Sequence, residues 1–282
     1  MELAGVVVLY HPNEEVIENI KSYICDLNIL YIIDNTEAPN TIFKEKLDQV
    51  LSCVNNKYIY IAWNDNKGVS YALNRALEYC KKDKYLLTMD QDSRFPKGML
   101  IKYKKNIEKL RCDRIAMYTV NYTGLNAEEK SLSPYEVKLA ITSGSILNVT
   151  IAKQLGSFDE NLFIDEVDSE FCYRAQKNGY KVIVFPDIIM HHQVGNPNKH
   201  KILWRTYNVF NHSPIRKYYI LRNRLYVMKK YPDRIGFLTI ETIKMIIKVL
   251  LAEKEKKKNF KYMYWGITDA LKNVMGKFGH NN

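Results

Sequence analysis

Four short apolar runs recur at near-even spacing through the N-terminal third of the chain: LAGVVVLY at 3–10, ILYIID at 29–34, YIYIAW at 58–63 and YLLTMD at 85–90. Runs that are apolar throughout, rather than alternating, are what strands buried on both faces require. They predict parallel strands joined by helical crossovers. The segments between them carry helical patterns at about 14–25, 41–54 and 69–81. An open sheet built this way holds its ligands at the carboxyl ends of the strands, where Asp34, Asn64 and Asp90 fall.

Beyond residue 115 the pattern loosens into short strands near 115–120, 140–149 and 181–185 and a helix near 168–178, a mixed second half without internal repeats. With 282 residues, 46% of them hydrophobic, the chain can fill one large α/β core and carry a C-terminal appendage. The division expected is a large α/β domain over 1–225, made of halves at 1–98 and 99–225, followed by a basic helical region at 226–282. Five cysteines without CxxC spacing are a poor disulfide framework and suit a reducing cytoplasm. No signal-peptide pattern opens the sequence.

The net charge of +11 calls for an anionic partner, yet basic and aromatic residues form no nucleic-acid-binding motif, so phosphate groups and acidic lipids fit better. The apolar stretch 235–252 is broken by Glu241, Lys244 and Lys248 and fails as a membrane span. It reads as an amphipathic helix that lies on an anionic membrane surface, or as one packed on the domain or on a second subunit of an oligomer.

Asp90-Gln91-Asp92-Ser93 follows an apolar strand directly, and two carboxylates one residue apart can meet a divalent ion and a ribose together; oxygen ligands suit Mn²⁺ or Mg²⁺. By itself such a DxD is more often a polar turn. Ahead of it, Asn66-Lys67-Gly68 opens a helix whose first amides can face a diphosphate. The resulting NxGxxxAxN followed by DxD resembles the nucleotide-sugar half of family 2 glycosyltransferases. The resemblance continues through Thr142-Ser143-Gly144-Ser145, Gly156-Ser157-Phe158-Asp159-Glu160, Phe163 to Glu170, Arg174 and Gly179-Tyr180. With DQDS, His212-Ser213-Pro214-Ile215-Arg216-Lys217-Tyr218-Tyr219 and Arg222-Asn223, it is similar to the rhamnosyltransferase branch over about 3–230.

The resemblance implies a GT-A fold and an inverting, metal-dependent transfer of a sugar without a covalent enzyme intermediate. In the family the general base lies in an ED-x-D-x-x-x-R segment; aligned through Glu170 and Arg174 it falls on Asp168. Val167 replaces the first acidic residue of the pair and leaves Asp165 as a rival. The same segment also reads as a capped helix start with an ordinary Glu170–Arg174 surface pair. Asp92 is implied as the direct metal ligand, Asp90 as a ribose or outer contact of the ion, and His192 as completing the metal shell, with His191 the fallback. Asp34 is placed to read the pyrimidine and Tyr10 to touch the same nucleoside, while Arg216 and Arg222 are expected to offset diphosphate charge. The implied donor is dTDP-L-rhamnose, with a UDP-sugar as the alternative, and the acceptor a glycan or lipid-linked glycan of surface polysaccharide synthesis at the inner face of the cell membrane. A sugar nucleotidyltransferase would need a glycine-rich loop that VVVLYHPNEE lacks, and a noncatalytic module would not need Asp92, Asp168 and His192 together.

Overall fold

The structure, a computed structural model, describes residues 1–80, 84–110, 112–122, 133–192, 198–202, 205–209, 212–253 and 255–280. In chain order its elements are β1 (Leu3–Leu9), α1 (Glu15–Lys21), β2 (Ile29–Asp34), α2 (Thr41–Val50), β3 (Tyr58–Ala62), α3 (Val69–Tyr79), β4 (Tyr85–Asp90), β5 (Ser93–Arg94), α4 (Met99–Lys109), β6 (Ile115–Tyr122), β7 (Tyr135–Glu136), β8 (Ser145–Asn148), α5 (Val149–Gln154), α6 (Val167–Lys177), β9 (Lys181–His192), β10 (Asn198–Ile202), β11 (Arg205–Val209), α7 (Pro214–Lys230), α8 (Ile235–Ala252) and α9 (Lys256–Lys272). They form two compact units. The first comprises Met1–Asp159 and Asp168–His192, the second Glu160–Val167 and Gln193–Asn282. The division expected at 225/226 falls inside α7.

In the first unit the sheet order is β3-β2-β1-β4-β8-β6-β9-β5, with β7 also on β9. The four strands expected from the apolar runs are parallel neighbours, and all of β1 except Val8 is buried. Their register levels Leu9 with Asp34 and Val8 with Asp90, which brings both aspartates to one edge. Asn40 caps α2, its Oδ1 accepting from the Ile42 and Phe43 amides at 3.0 and 3.2 Å. Gly68 opens α3 at φ +86°, a backbone position that disfavours any side chain.

β9 runs on to His192 rather than ending near residue 185. Proline breaks a ladder by removing a donor, which is why Pro186 reads as a strand end in sequence. The pairing with β6 instead slips at this point, from Val120 opposite Phe185 to Asn121 opposite Ile189. That bulge absorbs the proline, and the strand resumes to pair antiparallel with β5, setting Ser93 against His192 and Arg94 against His191.

The second unit packs α7 closely on α9. A Cβ on Gly266 of α9 would stand 2.7 Å from the Tyr218 carbonyl oxygen of α7, so glycine is what permits the approach. The segment 160–167 belongs to this unit: Phe163 stacks on Tyr219 with ring centroids 5.1 Å apart, and the Gly276 amide donates to the Asn161 carbonyl at 3.1 Å. β10 and β11 pair as an antiparallel hairpin.

Candidate active site

The β5–β9 pairing brings together residues a hundred positions apart in sequence. One ligand atom from each of Asp90, Asp92 and His192 lies within 4.8 Å of the others. His192 Nδ1 is 3.1 Å from Asp92 Oδ1 and 2.7 Å from Ser93 Oγ. Behind them Ser143 Oγ donates to Ser93 Oγ at 2.7 Å and accepts the Asp90 amide at 3.0 Å. Both serines are fully buried, so this hydroxyl pair fixes the end of β4 and the imidazole in one frame. Gly144, at φ +75°, brings the serine turn against β9, for a Cβ there would meet Met190 Sδ at 2.5 Å.

Burial opposes a charge on His192, but its hydrogen bond to Asp92 and the charges of Asp92 and Asp90 outweigh burial and raise its pKa. The cluster therefore favours positive charge. Two carboxylates and an imidazole form a donor set that fits a divalent ion such as Mn²⁺ or Mg²⁺, so the residues present suit the metal that the sequence implied.

Asp168 is the second residue of α6, with Oδ1 accepting the Ser169 amide at 2.8 Å. Its charge adds to burial in raising the pKa of Tyr122 and in pushing the Cys172 thiol up to about 12. Tyr122, at the end of β6, meets the His192 ring edge to face at 6.1 Å. Tyr122 thus has the His192 imidazole on one side and the charge of Asp168 within reach.

Asp165 belongs to the second unit and is engaged there. Arg216 Nε and Nη2 reach its Oδ1 at 3.2 and 3.1 Å. Asp165 and Glu166 have φ of +62° and +61°, a left-handed pair costly for non-glycine residues. Asn223 Nδ2 holds the Ile164 and Asp165 carbonyls at 2.6 and 3.1 Å, and Arg224 holds Glu166 at 3.0 Å. Burial outweighs the Arg216 and Arg224 charges and raises the Asp165 pKa.

Other expected contacts divide. Asp34 is buried, with Oδ1 accepting from the Thr36 amide at 2.9 Å and Oδ2 from Tyr60 OH at 2.5 Å. Tyr10 exposes its ring, while Gln91 brackets its backbone from the DxD turn at 2.9 and 3.2 Å. Asn66 Oδ1 takes the Gly68 amide at 3.0 Å, which removes that one N–H from phosphate binding; no side chain caps the following turn of α3. Arg222 corrects the expectation of a diphosphate contact, because it is 0% exposed and donates to Tyr218 OH at 3.1 Å, Gly276 O at 2.8 Å and Asn223 Oδ1 at 3.0 Å. The Glu170–Arg174 pair is likewise no surface pair, for Glu170 is 0% exposed. Sequence reading assigned no role to Ser93, Ser143 or Tyr122; the two serines stood within quoted motifs, while Tyr122 is one of 21 tyrosines.

Comparison with known proteins bears on this geometry. Over 297 aligned residues the chain is 26% identical to the dTDP-rhamnosyl transferase RfbF of Shigella flexneri, covering 98% of this chain and 96% of that protein. Its fold is similar to the mannosyltransferase PcManGT from Pyrobaculum calidifontis, solved with GDP-Man and Mn²⁺, at a TM-score of 0.62 and 12% identity over 97% of this chain and 88% of that one. GalNAc-T7, solved with UDP, GalNAc and Mn²⁺, gives a TM-score of 0.62 and 13% identity over 97% of this chain, which spans 57% of that one. The fold is GT-A. Glycosyl transferase family 2 matches residues 14–161, more than half of the chain, and on that match the chain belongs to glycosyl transferase family 2 and is a glycosyltransferase.

Proposed function

We propose that the enzyme transfers L-rhamnose from dTDP-L-rhamnose, with inversion, to a glycan or lipid-linked acceptor in surface polysaccharide synthesis. The observation that carries the mechanism is the Asp90–Asp92–His192 cluster, with Asp168 in the same unit acting electrostatically on Tyr122, whose ring meets that of His192. The donor rests on the near-full-length similarity to a dTDP-rhamnosyl transferase. Five free thiols suit the cytoplasmic face of the cell membrane.

Asp92 and His192 would hold the ion, and Asp90 would hold ribose or the ion's outer contacts. A bound divalent ion supplies charge stabilisation to the departing diphosphate. Ser93 and Ser143 keep the ligands oriented. The uncapped start of α3 offers backbone N–H groups to phosphate. Asp34, turned inward onto Tyr60 and Thr36, would read the pyrimidine, and exposed Tyr10 would touch the same nucleoside. Asp168 takes the proton from the acceptor hydroxyl as it attacks the anomeric carbon; its place at a helix N-terminus favours the ionised carboxylate that this role needs. Asp165, held by Arg216, fixes the 160–167 turn within the second unit.

The test is nucleotide release from a panel of dTDP- and UDP-sugars with Mn²⁺ or Mg²⁺, using wild type, Asp92→Ala and Asp168→Asn with and without acceptors. Selective turnover of dTDP-rhamnose, metal-dependent and lost in both variants, is expected. Selective turnover of a UDP-hexose would replace the donor, while activity retained in Asp168→Asn would remove the base.

A further inference from the structure

We infer that α8 lies flat on an anionic lipid surface through its outward apolar face. Phe237, Ile240, Ile243, Ile247, Leu250 and Leu251 are between 47% and 60% exposed, whereas Leu238 and Val249, on the opposite side of the helix, are buried, Val249 against Leu221 and Met263. At 100° per residue, Ile240, Ile243, Ile247, Leu250 and Leu251 share the side facing away from that core. Isolated exposed apolar residues are ordinary; an unbroken line of them directly opposite the packed face is not.

The flanks identify what covers it. Lys244 and Lys248 border the line, and the one acid beside them, Glu241, is paired with Lys244 at 2.7 Å. α9 repeats the composition, with exposed Tyr264, Ile267 and Leu271 beside Lys257, Lys261 and Lys272. A second copy seated on α8 would bring lysines against lysines. Anionic headgroups give the complementary charge, and apolar residues bordered by lysines are the make-up of an interfacial helix. Among the described residues no helix is long and apolar enough to cross a membrane, which leaves the in-plane arrangement.

The inference stands apart from the donor assignment and is tested without turnover. Full-length protein is sedimented with vesicles of phosphatidylcholine alone and of phosphatidylcholine with phosphatidylglycerol. The variants are Ile243→Asp with Ile247→Asp, and separately Lys244→Glu with Lys248→Glu; circular dichroism and nucleotide affinity report that each is folded. Binding to the phosphatidylglycerol vesicles alone, weakened by salt and reduced about tenfold or more in both variants, is expected. Absence of vesicle binding, or binding that both variants keep, overturns it. So does sedimentation velocity showing a stable dimer that fails to bind vesicles and is dissociated by the aspartate pair, which would make a second copy the cover.

Discussion

Replacing Arg174 by methionine tests whether burial, rather than sequence spacing, sets the strength of an ion pair. In sequence the pair Glu170–Arg174 is an ordinary i,i+4 helical contact, worth about 0.2–0.5 kcal/mol on an exposed surface. In the fold Glu170 is 0% and Arg174 15% exposed, Nη2 meets Oε2 at 2.7 Å, and Nη1 also donates to the Leu155 carbonyl at 2.6 Å, just past the end of α5. Methionine keeps much of the volume and takes the guanidinium away from a carboxylate that stays buried, a loss of about 3–5 kcal/mol for a broken buried pair. At about 2–4 °C per kcal/mol for domains of roughly this size, the melting transition should fall by about 6–20 °C. Adding Glu170→Leu removes the buried charge and should restore most of the loss, because two apolar side chains can replace a buried pair at little cost. Urea denaturation followed by circular dichroism on wild type, both single variants and the double variant closes the cycle. A loss below about 1 kcal/mol in Arg174→Met would refute the reasoning and mean that the carboxylate is compensated without Arg174.

Three further outcomes follow from the same structure. Asp168→Asn should lower kcat by about 10²–10⁴-fold and Asp165→Asn by less than about tenfold, since the second removes only the charge that Arg216 engages; a reversed ranking in steady-state assays would exchange their roles. Gly266→Ala should destabilise by about 1–3 kcal/mol through overpacking, exceeding the roughly 1 kcal/mol that alanine gains in helix propensity, and thermal unfolding reads the sign. Burial, then the charges of Arg216, Lys217 and Lys248, pushes His212 from 6.5 to about 4. The unfolded chain therefore binds a proton that the folded chain refuses, and stability present above pH 6.5 declines as pH falls toward 4. His212→Asn should flatten denaturation midpoints across that window.

How far the sequence could be read depended on whether a signal was local. Strands β1 to β4 were legible because parallel strands need apolar residues at every position, and their ends placed Asp34 and Asp90 correctly at one edge. The Asp92–His192 proximity came only through family resemblance. Its physical cause, the bulge that carries β9 past Pro186, is long-range, and locally proline argues for a strand end. α4 left a readable signal in buried Leu100, Tyr103 and Ile107, in the stretch between the last apolar run and residue 115 to which the sequence reading gave no element. Charged residues misled twice, since Glu170 read as half of a weak helical pair and Arg222 as a diphosphate contact, and both lie within the core; nothing in a single helix reveals that both of its sides are covered. Tyr122 gave no signal, because its importance comes from neighbours on α6 and β9.

The placement of residues 160–167 with the second unit bears on synthesis of the chain. A ribosome delivers this segment well before Tyr219, Asn223, Arg224 and Gly276, the residues that pin it. A nascent chain ending near residue 192 would thus hold Asp90, Asp92 and His192 while the turn entering the Asp168 helix still lacked its partners. Ordering of this turn therefore runs out of sequence order, finishing in the middle of the chain only after the C-terminal residues that pin it have been made.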